Sequence, residues 1–262
     1  MSGDDTILRQ RYESIALSKD DKTTASDYLL RELEIDLGLE YMRDGDTVLD
    51  VGCGLGYALR CYATRRRITA HGLDYAENMV NMARERLAES DLEVSIDFRQ
   101  GSVAELPYDD AQFDVITSHR CLMALLDWDL QKTALTDLHR VLKPGGILVL
   151  MEGTFDGLDR LNYYRRMFGL GEIDASGKDR LLTLKFHESQ LLEYVDPMYE
   201  LVRVQRFGMY YFLTRIIQPL LAAPEPPRYD HPLNEVAREI AKRIPDFEGI
   251  GHLVGYILKK RQ

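Results

Sequence analysis

Three cysteines in a chain of 262 residues are too few to organise a fold. Cys53, Cys61 and Cys121 form no Cys-x-x-Cys pair, so neither a zinc site nor a disulfide framework is indicated. Reduced thiols and a cytoplasmic location are the expectation. No extended Lys/Arg-rich run is present and the formal net charge is −10, whereas phosphate binding needs a basic footprint, so no nucleic-acid partner is expected. No apolar run approaches the roughly 20 residues of a membrane span. The start, Met1 to Asp5, lacks both the basic and the apolar part of a signal peptide. Neither repeats nor low-complexity segments occur. There is enough chain for one α/β domain of about 150–200 residues plus accessory segments, and a 45% apolar fraction supports a full core.

The informative stretch is 47–56. Val48, Leu49 and Val51 form the continuous apolar run of a central parallel strand. Gly52, Gly54 and Gly56 follow, a turn without Cβ atoms in which a flat ligand can lie against the backbone. A helix from about Tyr57 to Arg66 comes next. The third glycine stands one residue earlier than in the dinucleotide fingerprint, and Asp50 sits two residues before the first glycine. An anion there is a poor neighbour for pyrophosphate and a good one for an ammonium or a sulfonium. An acid followed by Gly-x-Gly-x-Gly at the end of the first strand resembles the class I S-adenosylmethionine-dependent methyltransferases.

Further motifs fall at the spacing a βαβ unit needs. A second strand, about Ile68 to Leu73, ends at Asp74, whose carboxylate can accept two hydrogen bonds from a ribose diol or cap the helix predicted over 76–89. Tyr75 can pack on an adenosine, and Met79 can form pocket wall or helix core. After strand three, Val94 to Arg99, the resembled family usually has an acid where Ser102 stands, which shifts adenine recognition toward the backbone N–H of Val103. Strand four, Phe113 to Ser118, delivers His119 and Arg120 to the expected transfer site. His119 reads as a base near neutrality or a contact to the cofactor's amino-acid end. Arg120 reads as a clamp for a carboxylate or phosphate, or as a partner of Asp127 or Asp129. A helix over 130–142 stops at Lys143-Pro144-Gly145-Gly146 before strand five, Ile147 to Met151.

The resemblance spans about residues 40–155. It implies a doubly wound, mostly parallel seven-stranded α/β sheet with helical lid insertions and an antiparallel last hairpin formed by strands at about 200–209 and 252–258. The expected division is an N-terminal helical cover over 1–40 and a methyltransferase domain over 41–262. Insertions at about 153–187 and 210–250 form a substrate lid or, for the first, a solvated helix face. Residues 5–38 read as helical, with Tyr12 as a cofactor cover or a packing residue. The resemblance implies binding of S-adenosylmethionine by Asp50, Gly52, Cys53, Gly54, Gly56, Asp74, Tyr75, Met79, Ser102, Val103, His119 and Tyr12. It also implies transfer, assisted by His119 and Arg120, to a small metabolite or sugar-like acceptor, at oxygen before nitrogen or carbon. Rival readings are a cofactor-binding regulator without activity, an RNA methyltransferase and a dinucleotide-dependent oxidoreductase. A monomer or homodimer without membrane contact is expected.

Overall fold

A computed structural model of the chain describes residues 10, 12–14, 27–174 and 183–262. Parts of the helical reading over 5–38 and of the insertion over 153–187 therefore lie outside the described residues. The elements in order are α1 (Tyr28–Leu39), β1 (Thr47–Val51), α2 (Tyr57–Arg65), β2 (Thr69–Asp74), α3 (Glu77–Ala88), β3 (Ile96–Gln100), β4 (Phe113–His119), α4 (Trp128–Val141) and β5 (Leu142–Gly153). Then come α5 (Phe155–Met167), α6 (Glu188–Val195), β6 (Tyr199–Gln205), α7 (Gly208–Phe212), α8 (Gln218–Ala222), α9 (Pro232–Ala241) and β7 (Leu253–Lys260).

The seven strands form one sheet in the order β3-β2-β1-β4-β5-β7-β6. Strands β1 to β5 pair in parallel, and β7 runs antiparallel to both β5 and β6, as the hairpin expectation required. Alternation along each strand sends side chains to two cores. Val48, Val115, Val149 and Met151 join α1, α2 and α3 on one face. Leu49, Val51, Ile116, Leu148 and Leu150 join α4 and α6 on the other. The order reverses between β1 and β4, where an open α/β sheet leaves a crevice at the carboxyl ends of its strands.

Helix starts follow their caps. Asp127 accepts from the N–H groups of Asp129 and Leu130 to open α4, and Thr154 accepts from Gly157 N–H to open α5, the side-chain oxygens replacing missing intrahelical acceptors. Three elements differ from the sequence reading. Strand β3 begins at Ile96 rather than Val94, and β5 already begins at Leu142. Gly145, at φ 75°, bends the chain without ending the extended run, so the pairing with β4 resumes across a bulge between Phe113 and Val115. Helix α6 was not anticipated. Leu191 and Val195 bury completely or nearly so against β5 and β7 side chains, so 188–195 belongs to the common sheet layer.

The stretch 210–250 packs as a helical layer against α1. Asp27 accepts from Tyr210 Oη at 2.5 Å and pairs with Arg215, and Glu32 pairs with Arg238. These contacts join the stretch that the sequence reading offered as substrate cover to α1.

Candidate functional site

At the crevice lies a cavity of about 550 Å³ lined from β1, β2, β4, the turns after them and α1. That is within the range of small-molecule sites. All the residues nominated from the sequence line it except Gly56. Gly56 instead starts α2 at φ 72°, where a Cβ would come within 2.6 Å of the Phe98 ring, so packing excludes a side chain there. A larger, shallower groove of about 920 Å³ lies beside α4. Its Arg140 and Lys132 are already paired with Asp137, Asp110 and Asp129.

The glycine turn forms one edge of the cavity. Gly54 is at φ 52° and a Cβ on it would meet nothing within 4 Å, which leaves a bare backbone edge facing open space. Gly52 has a different reason: a Cβ would lie 2.7 Å from Cys121 Sγ. Asp74 closes the turn from β2. Its Oδ2 accepts from Gly54 N–H at 2.8 Å and its Oδ1 from Ala76 N–H at 2.9 Å. The formal N-cap of α3 is Ala76, so Asp74 holds the turn and keeps further lone pairs for a ligand, since a carboxylate has about four acceptor sites. Burial raises its pKa to about 6, against the backbone bonds that lower it.

Asp50 is 2% exposed and accepts from Thr117 Oγ1 at 2.7 Å. Burial pushes its pKa up to about 7. A buried carboxylate with that cost of ionisation is suited to a cationic ligand, which restores the charged form. On the adenine side expected from the sequence, Met79 is buried beside Leu55 and Ala76, with Tyr12 packed on the same cluster. Glu13 accepts from the N–H groups of Glu77 and Asn78 at the start of α3, which fixes residues 12–14 over this part of the cavity. Tyr75 stays 40% exposed. Ser102 Oγ accepts from Ala104 N–H at 3.2 Å.

The end of β4 corrects two expectations. His119 Nε2 is 2.9 Å from Tyr62 Oη. Burial, reinforced by Arg120 and Arg31, pushes its pKa down to about 3, so the ring is neutral and a weak base rather than one poised near neutrality. Arg120 pairs with Glu34 of α1 at 3.0 Å, not with Asp127 or Asp129. Asp127 caps α4 and Asp129 pairs with Lys132. Glu34 has no exposed surface, so much of the Arg120 charge is already matched. Arg31 lies over the Tyr57 ring, 4.1 Å from its centroid, and lines the same end.

Met123, Ala124, Leu125, Leu130 and Thr183 form the remaining wall. Sequence reasoning missed this wall, and with it Arg31, Glu34, Tyr62 and Glu152. Only Glu152 carried a usable signal, an acid at the carboxyl end of an apolar strand. The others reach the site across long separations that no local pattern marks.

Residues 48–146 match the family described as a methyltransferase domain. The chain is 33% identical over 132 residues to 27-O-demethylrifamycin SV methyltransferase of Amycolatopsis mediterranei, covering 50% of this chain and 47% of that one. It is 34% identical over 146 residues to the ubiquinone/menaquinone biosynthesis C-methyltransferase UbiE of Vibrio vulnificus, covering 52% and 55%. It thus spans about half the length of the curated relatives it matches. A solved chain from the complex of the Haloferax volcanii Trm112 methyltransferase activator and a methyltransferase superposes with a TM-score of 0.67 at 19% identity, over 96% of this chain and 98% of that one. At that identity the likeness is one of fold.

Proposed function

We propose that this protein, whose residues 48–146 match the methyltransferase-domain family, is a class I S-adenosylmethionine-dependent methyltransferase that methylates a hydroxyl oxygen of a small, largely apolar acceptor. The observation that carries the reading is the convergence of Asp50, Asp74 and the bare edge of Gly54 on one cavity at the carboxyl ends of β1 and β2. The residues fit the cofactor. Asp74 offers lone pairs to a diol, Gly54 admits close approach, and Asp50 offers a buried anion to a cation. S-adenosylmethionine, when bound, supplies a methyl group on a sulfonium.

The chain's own share is positioning and exclusion of water. Holding two reactants in line contributes up to about 7–11 kcal/mol toward such a barrier. A sulfonium charge disperses as the methyl leaves, so fixed charges do little at that step. Met123, Ala124, Leu125 and Leu130 favour an apolar face on the acceptor over the sugar-like molecule also expected from the sequence. The neutral, weakly basic His119 favours an acceptor hydroxyl that is itself acidic, of phenol or enol type. An enol also carries a nucleophilic carbon, so methylation at carbon is the second reading.

Calorimetry of the purified protein with S-adenosylhomocysteine, beside NADH and a short RNA, tests the premise. Micromolar binding of the homocysteine alone is expected. Binding of NADH instead, or of none of the three, would overturn it. Radiolabelled transfer to a panel of phenols and sugars then tests the acceptor class, and labelling of sugars alone would sink that part.

A further inference from the structure

On the face of the sheet opposite Asp50, two buried polar side chains grip one short segment. Glu152, at the end of β5, has no exposed surface. Its Oε1 accepts from Ser118 Oγ at 2.7 Å, Cys121 N–H at 3.1 Å and Leu122 N–H at 3.0 Å, and its Oε2 from Met123 N–H at 3.0 Å. Gln131 of α4, 1% exposed, has its Nε2 within donating distance of the carbonyls of Leu122, Leu125 and Leu184, at 3.2, 3.2 and 2.9 Å. Leu184 N–H in turn donates to Met123 C=O at 2.7 Å. The carboxylate gathers the segment's N–H groups and the amide gathers its carbonyls.

The segment held this way is the wall of the cavity. Cys121, Met123, Ala124, Leu125 and Thr183 line it, and Thr183–Leu184 is the chain returning from the first insertion. Arg120, between the two parts that Glu152 holds, sits at φ 58°. A non-glycine residue persists there only where its surroundings over-determine it. Bonds to Ser118 on one side and to Cys121–Met123 on the other do that. Glu152 spends its acceptor capacity on the protein, which leaves it no part as a base toward a ligand.

Resting on the methyltransferase reading above, we propose that Glu152 and Gln131 are positioning residues for the methyl acceptor. They fix the Cys121–Leu125 wall and tie it to the returning segment at Thr183–Leu184. Acceptor selectivity is then set through two side chains that do not touch the acceptor.

Three variants of the full chain test this: Glu152→Gln keeps one carbonyl acceptor, Glu152→Met fills the space and keeps none, and Gln131→Met removes the amide. The KM for the phenol that the labelling panel identifies is expected to rise about tenfold in each, and an unchanged acceptor KM would overturn the proposal. Amide hydrogen exchange at Cys121, Leu122 and Met123 is expected to quicken by about tenfold in Glu152→Gln and about a hundredfold in Glu152→Met, since these bonds gate local opening. Gln131→Met is expected to shift the emission of Trp128, the one tryptophan, which packs on Phe186 and Tyr194 beside the returning segment. Affinity for S-adenosylhomocysteine is expected to stay within about threefold of wild type in Gln131→Met, whose amide bonds only Leu122, Leu125 and Leu184. The Glu152 variants also release Ser118, next to His119, and Cys121, which packs on Gly52, so cofactor affinity is read on Gln131→Met alone.

Wild-type exchange in Glu152→Met would show that filling space is enough and overturn the proposal. So would a tenfold loss of S-adenosylhomocysteine affinity in Gln131→Met, which would move that residue to the cofactor half. If Glu152→Met does not fold, Glu152→Gln and Gln131→Met carry the test. A wild-type protein that binds no homocysteine overturns the function proposed above but leaves the exchange result readable.

Discussion

The two halves of the cavity are built by different means. The cofactor half has a local centre: Asp50, the glycine turn and Asp74 come from two consecutive strand ends, and Asp74 bonds directly to the turn it faces. Thr117 of β4 and the segment at Tyr12–Glu13 reach it from farther away. The acceptor half is assembled from afar. Its wall at Cys121–Leu125 is held by Glu152 and Gln131 from two other elements, its ion pair joins β4 to α1, and Thr183 arrives from the end of an insertion. A local device can be repeated in many chains with one ligand. A device assembled from distant elements can vary with the acceptor while the first stays fixed, which fits relatives whose likeness covers only half of each chain.

The sharpest way to break the comparison is Gly54→Val. The added side chain would enter the open edge where a Cβ now meets nothing, at φ 52°, and should abolish homocysteine binding while the folded state survives. Retained binding, measured by calorimetry, would mean that the turn serves packing alone. Asp74→Ala should weaken binding by about tenfold or more through loss of charge-assisted bonds. Because Asp74 also holds Gly54 N–H, Asp74→Asn is the control that keeps one acceptor. Unchanged affinity in both would remove the diol role.

A pH titration sharpens the assignment of Asp50. Its pKa is raised to about 7 and that of Asp74 to about 6, so both carboxyls take up protons in the empty protein as pH falls from 8 to 5. A cationic ligand needs them ionised, and S-adenosylmethionine affinity should drop by about tenfold between pH 8 and pH 6. S-adenosylhomocysteine, without the sulfonium, should lose less, and Asp50→Asn should flatten the difference. Equal pH slopes for both ligands would place the sulfonium away from Asp50. The linkage to folding has the opposite sign. Folded values above the unfolded one near 3.8 make these carboxyls destabilising above about pH 7, and that penalty fades as pH falls toward 4.

The smallest effect is expected at Tyr62. Tyr62→Phe removes one buried hydrogen bond to His119 and should cost about 1 kcal/mol, lowering the melting temperature by about 2–4 °C. His119→Ala should weaken homocysteine binding several-fold, as expected for a group on the Asp50 face of the sheet. Intact affinity with transfer lost would return His119 to the role of base.

Much of the cofactor half was legible because its signals are short-range. An acid two residues before a glycine turn, and a second acid at the end of the next strand, lie at separations that the βαβ unit makes inevitable. Arg120 and His119 were legible as positions and not as chemistry. Burial decided that the imidazole stays neutral, and Glu34, far away in the chain, decided where the guanidinium points. Helix α6 was missed although Leu191, Leu192 and Val195 stand at helical spacing; its place next to an insertion drew it out of the sheet layer, and only its packing against β5 and β7 returns it there.

By itself, then, the sequence determined the sheet, the glycine turn and the two acids around it, since strand period and turn chemistry act over a few residues. Only the tertiary structure decided which charges meet, which stay neutral, and how Glu152 and Gln131 hold the acceptor wall. Those outcomes depend on burial and on hydrogen bonds between residues distant in the chain, which no local pattern encodes.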